Sequence, residues 1–329
     1  MKELQLDVVV TRGNSTESVH RVHGAVVNAD GELLARARDA GFVTHWRSCA
    51  KPFQVMPLLE SGGFDTLPWG DEQLALACAS HGGEPEHVAI AAGMLADLHL
   101  TENDLACGPH EPNTARGAQL LRESGRQPTR LHNNCSGKHS AMLARAKTAG
   151  WPTDGYHRAE HGVQKGCLES VSRWTGLDTE SIGQAVDGCG VVEFSLPLTG
   201  MATGYARLGA AAARGDAAPA RVVRAIQSHP FLLGGTDRFD TILIEETRGR
   251  VISKVGAEGV HTAVSLDHDF GIAVKAEDGA KRAQFPALLR ALQLLGALPA
   301  ELPPRLQDIA RQSLRNTRGE PVGEIRPLE

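Results

Sequence analysis

Between Leu4 and about Arg38, short apolar runs alternate with polar positions: LDVVVTRG, HRVHGAVVN and, after a turn at Asn28-Ala29-Asp30-Gly31, ELLARARD. This period of two predicts a meander of short antiparallel strands. From Ser48 to about Gln227 the period lengthens to that of a helix, in segments such as EHVAIAAGMLADL and GKHSAMLARAKTAG, the latter closed by Gly150. Strand patterns return in DTILIEETRGRVISKVG, with a turn around Arg248-Gly249, and in VHTAVSL and DFGIAVKAE, ahead of a helix from about Ala280 to Leu295. Together these predict an α+β fold. An antiparallel sheet is built from about residues 1–40 and 238–278 with the C-terminal helix, beside a helical lobe of about residues 48–230, all within one catalytic unit spanning 1–329. Strands do not alternate regularly with helices, which argues against a parallel doubly wound sheet. The Pro- and Arg-rich tail from Glu301 onward is expected to be loosely held.

Composition narrows the function. With 329 residues, 41% of them hydrophobic, the chain can bury a substantial core. A net charge of -5 with no long basic run excludes an obvious nucleic-acid footprint or a membrane-seeking patch. No GxGxxG or GxxxxGK[ST] cradle for phosphates is present. The N-terminus MKELQLDVVVTRG places Asp7 inside its apolar stretch and has no cleavage site, so a cytoplasmic location is expected. Cys49, Cys78, Cys107, Cys135, Cys167 and Cys189 are widely spread, which favours reduced thiols over a disulfide framework.

Candidate chemistry begins at Ser48-Cys49-Ala50-Lys51. At a helix start, this spacing puts serine and lysine on one face. A serine hydroxyl needs a base, and a lysine amine is one only when neutral. Bringing its reference pKa of about 10.4 to near 7 costs on the order of 4 kcal/mol, supplied by burial and nearby cations such as Arg47. The spacing alone also fits an ordinary helix start with a solvated lysine. Two further features add weight: Ala79-Ser80-His81-Gly82-Gly83, a polar glycine-rich turn after a helix, and Lys254-Val255-Gly256, with the Lys-x-Gly form found on a strand of serine β-lactamases and penicillin-binding proteins. A third concentration of chemistry is His132-Asn133-Asn134-Cys135-Ser136-Gly137-Lys138-His139, with Asp187-Gly188-Cys189-Gly190 able to bring a second thiol to it through tight turns. Zinc, merely buried thiols, and a Cys135 thiolate paired with His139 or His81 are all compatible with this pattern.

Read in order, RGNSTESVHRVHGAVV, WRSCAKPFQ, LACASHGGEPEHV, LHNNCSGKHSAM, VDGCGVVEFSLPL, GGTDRFDTILI, SKVGAEGV and GIAVKAEDG resemble the rhizobial-type L-asparaginase II proteins, related in fold to serine β-lactamases and glutaminases. The resemblance implies an asparaginase acting on L-asparagine through two Ser-Lys tandems, Ser48 with Lys51 and Ser80 with Lys254. Lys275 in AVKAEDG competes with Lys254 for the second tandem. It also implies zinc held by Cys135, Lys138 and Cys189, substrate contacts from Arg47, His139 and Asp187, and a homodimer. The family has proline in its DGCG-x-P segment where this chain has Val192, a change that loosens the turn carrying Cys189 but keeps the thiol. The other function classes are a lactam-directed acyl hydrolase, which would share Ser48 and Lys51, and a non-catalytic zinc or amino-acid binding protein.

Overall fold

The computed structural model describes residues 1–328 and divides into two compact units: residues 1–49, 196–210 and 242 onward, and residues 50–195 and 211–241. The architecture is α+β with antiparallel pairing dominant.

In the first unit, a six-stranded sheet runs in the order Lys2–Glu3, Leu33–Ala37, Val22–Val27, Phe270–Ala276, Val260–Ser265, Val251–Val255. Its centre joins the two ends of the chain, with Val22–Val27 antiparallel to Phe270–Ala276 in the register Val27↔Gly271 to Val22↔Ala276. Both strands are buried at every position and are apolar apart from His23 and Lys275. Only the outermost pair, Lys2–Glu3 with Leu33–Ala37, is parallel. The helix Lys281–Leu294 lies against the sheet, burying Ala283, Ala287, Leu288 and Leu292, and Gln284 donates a 3.1 Å hydrogen bond to Gly256 O.

Three expectations are corrected here. The single sheet is really two. The Val8–Arg12 and Ser15–His20 hairpin leaves the six-stranded sheet and pairs with Pro321–Pro327, itself paired with Gln312–Arg315. The chain passes between the sheets at Arg21, where the buried carboxylate of Asp7 accepts the Val22 N–H at 3.0 Å and pairs with Arg38. Burial alone would raise the Asp7 carboxyl, but the hydrogen bonds from Arg38 and Val22 outweigh it and hold it below the ordinary aspartate value. For the same reason the tail is not loose. It forms the helix Pro304–Ala310, with proline at its first position, and two strands whose Ile325 is buried opposite Val10. Finally, residues 239–246 are a helix, Phe239–Glu246, and the strand begins only at Val251. Phe239, Ile242 and Leu243, at i, i+3 and i+4, satisfy helical spacing as readily as the apolar run suggests a strand. The turn at Arg248-Gly249 is present, both residues having positive φ, and it ends this helix.

The second unit is mainly helical and is built around Ser136–Thr148, ten of whose residues are buried. The helix Asp71–Ala77 crosses it closely enough that a side chain on Gly137 would meet Leu76 O at 2.4 Å, so only glycine fits there. Pro85–Asp97, Gly162–Thr175 and Ala217–Ser228 complete the helical packing. An antiparallel hairpin, Gly183↔Ser195 to Val186↔Val192, carries the turn that holds Cys189. Among the described residues no helix is long and apolar enough to cross a membrane.

Candidate functional site

Lys51 opens the short helix Lys51–Gln54 in the second unit and is almost entirely buried, with 1% of its surface exposed. Its amine donates to Ala79 O at 2.5 Å, to Ser80 Oγ at 3.0 Å and to Asn134 O at 3.4 Å. All three of its N–H donors thus converge where the segment after Asp71–Ala77 meets the segment before Ser136–Thr148. Those segments are fastened to each other. Gly83 N–H donates to His81 Nδ1 (3.2 Å), which leaves His81 Nε2–H to donate to Ser136 Oγ (2.9 Å), whose own proton goes to Leu131 O (3.0 Å). Burial, the charge of Lys51 and the neighbouring histidines keep His81 neutral. The fully buried Glu84 accepts from Thr236 N–H (2.7 Å), Thr236 Oγ (2.7 Å) and Arg116. Burial would raise its carboxyl, but these donors hold it below the ordinary glutamate value.

Beside this lies a thiol cluster. Donor atoms of Cys135, Asp187 and Cys189 all fall within 4.8 Å of one another, and Lys138 Nζ is 3.0 Å from Cys189 Sγ and 4.0 Å from Asp187 Oδ2. Cys135 and Lys138 come from the start of one helix. Cys189 comes from the turn closed by Gly190 at φ 93°, where Gly190 N–H donates to Asp187 O at 2.8 Å. The hydrogen bond from Cys135, together with the Lys138 charge, pulls the Cys189 thiol down to about 6 against the cost of burial. The Cys135 thiol is pushed up to about 12 by that same bond and by burial. Burial alone would pull the Lys138 amine down, but Cys189, Cys135 and Asp187 outweigh it and hold it above the ordinary lysine value. A thiolate, a thiol, a carboxylate and an amine therefore share one small space.

His139 follows on the same helix, wholly buried, with Nδ1 2.5 Å from Tyr156 Oη. Burial and the Lys138 charge push it down to about 3, so the ring is neutral. The Tyr156 oxygen accepts from Ala106 N–H at 2.9 Å and shares a proton with His139 Nδ1, while His139 Nε2 has no hydrogen-bond partner among the described residues.

In the first unit, Ser48 lies half-buried in the 3-10 turn Arg47–Ala50, entered through Arg47 at φ 54°. Cys49 anchors the turn: its Sγ donates to Lys254 O at 2.9 Å, and its carbonyl accepts from Tyr205 Oη at 2.9 Å. Lys254, on the Val251–Val255 strand, is 1% exposed and donates to Val255 O at 2.9 Å. Lys275 lies two strands away, its amine on Ala276 O and lowered by burial against the pull of Glu258, Asp278 and Glu277.

Within the second unit the sequence-predicted residues Lys51 and Ser80 are in contact, as are Cys135, Lys138 and Cys189. Within the first, the turn of Ser48 rests on the strand of Lys254. Asp187 joins the thiols, and His139 turns to Tyr156. Sequence reasoning missed Tyr156 and the carbonyls of Ala79 and Asn134. Tyr156, one of two tyrosines in the chain, stands in the polar stretch TDGYHRAEHG and was the one findable from sequence; backbone acceptors leave no trace in residue identity.

The fold and these groups define an α+β protein with buried lysines set against hydroxyl, thiol and carboxylate groups. The chain belongs to the L-asparaginase II family, whose profile matches residues 8–327. No curated protein matches the chain. Among solved structures it is similar to Mglu in its native form (14% identity, TM-score 0.44, covering 84% of this chain and 64% of that one). It is also similar to a β-lactamase from Mycobacterium bovis (13%, 0.34, 84% and 96%) and to the octameric penicillin-binding protein homologue from Pyrococcus abyssi (11%, 0.36, 84% and 73%). The chain spans 64% of the length of the first of these.

Proposed function

We propose that this protein hydrolyses L-asparagine to L-aspartate and ammonia in the manner of the rhizobial-type enzymes, through an acyl-enzyme on Ser48. Besides the family match, the observation that carries the reading is Lys51, three residues after Ser48, buried with its amine 3.0 Å from Ser80 Oγ. In its neutral form Lys51 takes the Ser48 hydroxyl proton as the oxygen bonds to the side-chain amide carbon. The carbon–nitrogen bond then breaks, and the departing nitrogen receives a proton delivered through Ser80 and leaves as ammonia. Water adds to the resulting ester, and the same groups run in reverse to release aspartate and restore the Ser48 hydroxyl. Lys254, under the Cys49 anchor, is the second lysine of the set in preference to Lys275, whose amine is turned toward Glu258, Glu277 and Asp278.

Ammonia release from L-asparagine, L-glutamine and D-asparagine, measured alongside opening of a chromogenic lactam, tests the reading. Turnover of L-asparagine above the others is expected. Acylation by the lactam with asparagine untouched would make the protein a lactam-directed hydrolase instead, and binding without turnover would make it a binding protein.

The donor set also fits a zinc ion: Cys135 and Cys189 would hold it with Lys138 or Asp187, because two thiols, a carboxylate and an amine already converge and one thiol is easily ionised. Bound there, zinc would supply a fixed positive charge for the polar end of a substrate, its Lewis acidity reduced by the two thiolates. Elemental analysis of protein purified without added metal should find about one zinc per chain, lost in Cys135→Ser and Cys189→Ser. Absence of zinc from the unsubstituted protein would count against the site.

A further inference from the structure

A cavity of about 320 Å³ lies in the second unit between the helices Pro85–Asp97 and Ala115–Glu123, outside the residues given chemical roles above. Its size is at the lower end of small-ligand pockets, roughly 300–1,000 Å³. Val88 and Ala92, one turn apart on the first helix, and Leu120 and Leu121 on the second give it apolar walls. Arg126 and His132 are the cationic and donor groups of its lining. Arg126 is exposed and has no carboxylate partner among the described residues. Thr129 N–H donates to His132 Nδ1 at 3.0 Å, so the neutral imidazole carries its proton on Nε2, and that N–H is not used by any hydrogen bond among the described residues.

We propose that this cavity binds a small apolar carboxylate, its chain between the two helices and its head on Arg126 and His132. A carboxylate can pair with the Arg126 guanidinium and accept from the His132 imidazole N–H, which an uncharged apolar chain cannot do. The site also touches the machinery of Lys51. Gly83, at φ 72°, lines the cavity with its Cα so close to the His132 segment that a side chain there would meet His132 O at 2.7 Å. Gly83 lies three residues after Ser80 and His132 two before Asn134, and Ser80 Oγ and Asn134 O both accept from Lys51. An occupant pressing on this contact therefore changes turnover, an inference that rests on the proposed asparaginase reaction.

The test is calorimetric titration of the full chain with octanoate, and with 1-octanol as the uncharged match. Saturable octanoate binding is expected, weakened by about tenfold in Arg126→Ala and by the loss of charge in octanol, and abolished in Ala92→Trp, which fills the cavity. Arg126 is exposed, so its variant keeps the test decisive even if Ala92→Trp does not fold. No saturable binding to the unsubstituted protein, an unchanged affinity in Arg126→Ala, or equal binding of octanol would overturn the site. Octanoate should also change ammonia release from L-asparagine, at about tenfold higher concentration in Arg126→Ala than in the unsubstituted protein, and unchanged release in the unsubstituted protein would overturn the coupling. Because binding is measured without substrate, failure of the asparaginase reading would show separately, as no ammonia release before any octanoate is added.

Discussion

Replacing Ser48 with alanine is expected to lower ammonia release from L-asparagine by about 10⁴-fold or more while leaving the fold intact. The oxygen removed is the proposed nucleophile, and no neighbouring group can replace the bond it forms to the substrate carbon. Stability should change by less than about 0.5 kcal/mol, because the half-buried Ser48 hydroxyl makes no hydrogen bond among the described residues. The conformation of the turn is instead set by Cys49, through Lys254 O and the Tyr205 hydroxyl. Denaturant midpoints and ammonia assays on the same preparations check both halves. Near-normal turnover in Ser48→Ala would remove the serine from the mechanism.

Lys51→Met is expected to fail on both counts. Methionine keeps most of the buried volume but none of the three N–H donors, so Ala79 O, Ser80 Oγ and Asn134 O lose a shared partner in a closed space. Each buried polar group left without a partner costs about 1–3 kcal/mol, and relaxation or entry of water recovers part of it, so a net loss of about 2–4 kcal/mol in the denaturant midpoint is expected. Turnover should fall by about 10³-fold or more, since the serine then has no base. A Lys51→Met protein that unfolds earlier yet hydrolyses asparagine at the original rate would make Lys51 a structural post. The contrast between the variants separates the two jobs of the SCAK segment, chemistry at its first residue and chemistry joined to architecture at its last.

Much of this was legible in the sequence because it depends on local pattern. Strands at both ends, a helical middle, the helix Lys281–Leu294 and the turn at Arg248-Gly249 all follow from periodicity and glycine placement. Phe239–Glu246 was misread because a short apolar run satisfies both periods, and only tertiary packing decides between them. The tail was misread because its strands take their apolar partner from Val8–Arg12, some 300 residues away in sequence. At the candidate site, residue types pointed to Lys51, Ser80 and the two thiols. They gave no hint that Asn134 and Ala79 act through their carbonyls, because long-range hydrogen bonding chooses partners by position as well as by identity.

The pairing of Val22–Val27 with Phe270–Ala276 has a consequence for the order of events during synthesis. Val22–Val27 pairs early with the neighbouring Leu33–Ala37, but its other edge has no partner until Ala276 has been made, so closing the sheet there requires a very long chain loop and is intrinsically slow. Residues 50–195, whose helices are mostly neighbours in sequence, can condense well before then. The Val22–Val27 segment therefore waits with one edge open, a stretch of the nascent chain in need of protection from aggregation.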